Sequence, residues 1–136
     1  MSCLFDSISK LLQDDLKDSG LDLRNLVCDY IKNNMDEKIA GETIKNWLKM
    51  IGSDEFNINS ENPEEMANAY IIIIENGAQW GGGPELSILS KVLDLVIRIK
   101  HQDEIIAIFN CTDNPIFEIV LDWNGSHYEP YSKYNL

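Results

Sequence analysis

Along the first hundred residues the apolar positions recur every three or four, and then the period shortens to two. Leu4, Phe5, Ile8, Leu11 and Leu12 form one such helical stripe. Ser2 is placed to cap it, so the spacing predicts a helix from Cys3 to about Asp14. After the Ser19-Gly20 turn, Asp22 can cap a second helix with Leu23, Leu26, Val27, Tyr30 and Ile31 on one face. A shorter third helix is expected after Gly41, carrying Ile44, Trp47, Leu48 and Ile51 and stopping before Gly52. In NPEEMANAYIIIIENG, Asn62 caps, Pro63 takes the first helical position, Glu65 completes a capping box and Gly77 terminates. Pro84 then starts a helix whose inner face is Leu86, Leu89 and Val92 or Leu93.

From Val96 the alternation is that of strands. VIRIK, EIIAIFN and FEIVLDW read as three of them, and HYEPY as a short aromatic fourth. Helices first and strands after predict an α+β fold, a small sheet covered by helices. The 136 residues suffice for one domain, 1–136, and 44% hydrophobic content is enough for its core.

Charge narrows the partners. A net charge of −12 leaves no basic stripe for phosphates, so we expect no nucleic acid and no anionic membrane surface. The longest apolar run, Ala69–Ile74, is too short to span a bilayer, and no basic leader precedes it. Three cysteines (Cys3, Cys28, Cys111) without a CxxC, and two histidines without a ligand pair, argue against zinc. We therefore expect free thiols, no metal, no cofactor, and a monomer in an intracellular, cytoplasmic setting.

The remaining chemistry lies near the two ends. A thiol in the first turn of a helix sits at the positive end of the macrodipole, which favours thiolate. Cys3 is so placed; as a lone feature it equally fits a small buried residue. A nucleophilic cysteine needs a base. His101, between charged residues at a strand end, reads as solvated, whereas His127 follows a glycine turn at the start of a strand. Glu129 is two residues on, hence on the same strand face, where a carboxylate can orient an imidazole. Cys28 and Cys111 read as structural or incidental.

Four blocks in order, Cys3-Leu4-Phe5, Trp80-Gly81 through Glu85-Leu86, Val96-Ile97-Arg98-Ile99, and His127-Tyr128-Glu129-Pro130, resemble the ovarian tumour (OTU) family of cysteine proteases, many of them deubiquitinases. The resemblance implies a papain-like core with Cys3 as nucleophile, His127 as base and Glu129 as orienter. It implies hydrolysis of the isopeptide bond at the C-terminus of ubiquitin or a ubiquitin-like modifier, whose arginine-bearing tail would suit an acidic cleft. Trp80 and Glu85 would stabilise the fold. The family pattern also has an Asp-Gly loop before its cysteine, where here only Met1 and Ser2 stand. Three readings stay open on that account: a piece of a longer enzyme, a compact enzyme using another loop's backbone with Glu129 or Asn124 orienting His127, or a relative that binds ubiquitin without cutting it.

Overall fold

Helix α1, Cys3–Leu11, turns its apolar stripe inward, with Leu4, Phe5 and Ile8 fully buried while Asp6 and Lys10 face solvent. The computed structural model describes residues 3–12, 20–39, 41–55, 65, 68–69 and 83–136. Acidic Asp6 lies in the first turn of α1 and basic Lys10 in the last, each complementing the helix dipole. Helix α2, Gly20–Asn33, begins two residues before the predicted cap and buries Leu23, Val27, Cys28 and Ile31. It also buries Arg24, whose guanidinium carbon lies 4.7 Å from the centre of the Phe5 ring. An aromatic face offers a desolvated cation partial compensation, so a charge in the α1–α2 seam is tolerated.

Between α2 and the next helix a two-stranded ribbon forms that the sequence pattern did not predict: β1, Lys38–Ile39, antiparallel to β2, Glu42–Thr43. Gly41, at φ +88°, makes its turn in a conformation that glycine adopts freely. Helix α3, Ile44–Glu55, follows directly and runs through Gly52 instead of stopping there. A glycine inside a helix costs only about 1 kcal/mol against alanine, which neighbouring turns outweigh. Thr43 and Glu42 serve its start: the Asn46 amide and the Thr43 N–H both donate to Glu42 Oε1, each at 2.9 Å, holding that carboxyl below its usual range. Trp47 Nε1 donates to the Ile39 carbonyl at 2.6 Å and pins α3 to the ribbon.

The expected Asn62–Gly77 helix falls mostly outside the described residues, as does Trp80; Glu65, Asn68 and Ala69 are helical. Helix α4, Gly83–Leu93, buries Glu85, Leu86, Ile88, Leu89 and Ser90. Glu85 is fully enclosed in the first turn of α4. Ser90 Oγ donates to the Leu95 carbonyl (2.7 Å) and accepts from the Cys111 N–H (2.8 Å), tying α4 to the sheet.

Four strands follow: β3 Leu95–His101, β4 Glu104–Phe109, β5 Phe117–Trp123 and β6 Tyr128–Asn135. Their order across the sheet is β4-β3-β5-β6, with β3 parallel to β5 and the other pairs antiparallel. Leu95, Ile97 and Ile99 of β3 and Ile119 and Leu121 of β5 join the buried helix residues in one core. This is the predicted α+β arrangement of helices on a small sheet. Strand β6 is longer than the predicted HYEPY because it pairs with β5 as far as Phe117↔Asn135. As an edge strand it needs no apolar alternation, so SKYN carried no period to read.

Candidate active site

The β5–β6 connection is the tight turn Asn124-Gly125-Ser126-His127, and its shape comes from one side chain. Asn124 Oδ1 accepts from the Ser126 N–H (3.0 Å), the Ser126 hydroxyl (3.2 Å) and the His127 N–H (2.9 Å). An asparagine that folds back on the following amides mimics a backbone turn. Gly125, at φ +105°, supplies the left-handed residue that the turn requires. The Asn124 N–H in turn donates to the His127 carbonyl at 3.1 Å. Both backbone polar groups of His127 are thus held by Asn124, and its imidazole stands on an exposed turn.

Sequence position separates this turn from α1 by almost the whole chain, yet the fold joins them. Ser7 Oγ donates to the Tyr128 carbonyl at 3.1 Å, and Ser7 itself is buried. Cys3 opens α1 four residues earlier, so positions 3 and 7 share one helix face. The helix that begins at Cys3 is therefore fastened to the residue that follows His127. Ser7 belongs to the block Ser7-Ile8-Ser9 that continues the family resemblance behind Cys3-Leu4-Phe5, but its bond to residue 128 leaves no mark in the sequence.

Two expectations change. His127 precedes β6 rather than opening it, so only Glu129 of the proposed pair lies in the strand. Glu129 is exposed and stands directly opposite Asp122 in the β5–β6 register, two carboxylates facing each other. Asn124 acts on the main chain of His127 through Oδ1. His101, expected to be solvated, is half-buried: its Nδ1 lies 2.7 Å from the Trp123 carbonyl and its ring packs against the Trp123 indole, 5.4 Å between centroids. Nearby Lys100 bonds Asp103 at 3.1 Å, which raises its pKa, and lies over the Tyr131 ring. Cys28 is in the core, and Cys111 is half-buried beyond β4 with its N–H on Ser90.

The sequence model of the OTU-like cysteine protease family matches residues 2–118. The chain belongs to that family. The matched span contains Cys3 and ends before His127. OTU domain-containing protein 2 of Saccharomyces cerevisiae is 34% identical over 126 residues, covering 87% of this chain. The chain spans only 36% of that relative's length. Among solved structures, an ovarian tumour domain in complex with ubiquitin superposes with a TM-score of 0.64 at 24% identity, over 98% of this chain and 69% of its own. The viral OTU domain protease of Dera Ghazi Khan virus gives 0.60 at 19%, over 98% and 76%. The fold is thus that of the papain-like OTU core.

The turn itself makes a testable case. Asn124→Ala removes one acceptor from three donors, so it should loosen the turn and quicken amide exchange at the Ser126 and His127 N–H groups about tenfold while the core stays folded. Asn124→Asp keeps the acceptor and should retain most of the protection. Amide exchange beside thermal melts checks both.

Proposed function

We propose that this OTU domain is a thiol hydrolase acting on the C-terminal isopeptide linkage of ubiquitin or a ubiquitin-like modifier, with Cys3 as nucleophile and His127 as base. The observation that carries this reading is the Ser7–Tyr128 bond, which fastens the helix opening on Cys3 to the strand entered through His127. The imidazole of His127 takes the Cys3 thiol proton, and the thiolate adds to the carbonyl carbon of the scissile bond. Collapse of the tetrahedral adduct expels the lysine amine, which receives its proton from His127. Water, deprotonated by the same imidazole, then cleaves the thioester and restores the thiol. Glu129 is the carboxylate proposed to orient His127. The chain's net charge of −12 suits a basic modifier tail.

The test is hydrolysis of a ubiquitin C-terminal amide and of a panel of diubiquitins. Turnover by the parent that Cys3→Ala loses completely supports the reading. A folded parent that cleaves none of them overturns it; a ubiquitin titration that still saturates would then point to a binding module.

A further inference from the structure

The parallel ladder between β3 and β5 ends at the pair Lys100↔Asp122, one residue short of the end of each strand. The Trp123 carbonyl therefore lies beyond the last residue pair, where the β3 backbone offers no further partner. A side chain takes over: His101 Nδ1 stands 2.7 Å from that oxygen. A carbonyl only accepts, so Nδ1 carries the proton and donates. The same ring packs on the Trp123 indole, so one imidazole fixes both the main chain and the side chain of that residue.

The carbonyl it holds belongs to the peptide unit joining Trp123 to Asn124. The N–H of that same unit donates to the His127 carbonyl at 3.1 Å. One rigid plane is thus gripped at its oxygen by His101 and at its N–H by His127. Asn124, whose backbone orientation this plane sets, is the residue whose Oδ1 holds the His127 N–H. The path from His101 to His127 consists of two hydrogen bonds and one planar amide, and bonds polarised in series strengthen one another.

We propose that His101 is a positioning residue for His127: from β3 it locks the Trp123–Asn124 peptide plane and thereby the turn that presents the catalytic imidazole. It touches no reacting atom. This rests on the reading of His127 as the base, and the experiment keeps the two apart.

The useful variants follow from bond counting. An asparagine places its amide nitrogen as many bonds from Cα as Nδ1, while a glutamine reaches one bond further, toward the place of Nε2. His101→Ala should lower kcat about tenfold with KM within about twofold, His101→Asn should return kcat to within about threefold of the parent, and His101→Gln should behave like alanine. Amide exchange at the His127 N–H, which needs no turnover, should quicken about tenfold in the alanine and glutamine variants and recover in the asparagine variant. Equal kcat and equal exchange in His101→Ala, or asparagine no better than glutamine, would overturn the proposal. If the parent cleaves no ubiquitin substrate, the hydrolase reading fails, and amide exchange alone decides whether His101 holds the turn.

Discussion

His127→Ala is expected to lower single-turnover cleavage of a ubiquitin C-terminal amide by roughly 10²–10⁴, the usual worth of a general base. The fold should not notice the change. Asn124 holds residue 127 through its backbone N–H and carbonyl, which alanine retains, and the side chain stands on an exposed turn. A melting temperature equal to the parent's, beside the lost rate, would make the effect chemical. A loss of less than tenfold would mean that another group takes the Cys3 proton.

Phe5→Ala is expected to have the largest effect on stability, roughly 3–5 kcal/mol, as for aromatic truncation in a closed core. Phe5 is fully buried, and its face also supports the Arg24 guanidinium, itself 1% exposed. Removing the ring opens a cavity and leaves a buried cation without its π face. Such a loss consumes much of the 5–15 kcal/mol typical of a domain, so denaturant midpoints should fall steeply. The neighbouring Asp6→Ala, at an exposed position of the same helix, should stay within about 0.5 kcal/mol. Because α1 opens on Cys3, the Phe5 variant should also lose activity in step with its folded fraction. Urea unfolding of the three proteins checks the ranking.

The helical stripes of α1 and α2 and the alternation of β3 and β5 were legible because burial on one face imposes a period on sequence. Elements that lack a buried stripe leave no such period. The β1–β2 ribbon has two residues a strand, too few for alternation. The second half of β6 is specified by pairing with β5, which leaves no mark on its own composition. Glycine at 52 suggested a stop that the surrounding turns of α3 override. The same contrast holds at the site. Cys3 and His127 stand out as residue types that carry chemistry, and family blocks place them in order. Ser7 and His101 act through single hydrogen bonds to backbone carbonyls far from them in sequence, whereas Asn124 folds back on the amides of its own turn. The bonds of Ser7 and His101 exist only once the topology has brought β3, β5, β6 and α1 together, so no local pattern announces them, while Asn124 was already legible beside its glycine.

We propose that the two ends of the chain form one thiol-dependent site for ubiquitin. The most direct test is intact mass after incubation with ubiquitin carrying a cysteine-trapping electrophile at its C-terminus, beside Cys3→Ala. One ubiquitin is expected on the parent, none on Cys3→Ala, and slow addition to His127→Ala. An adduct that persists in Cys3→Ala, formed through Cys28 or Cys111, would contradict it, as would a folded parent that gains no mass.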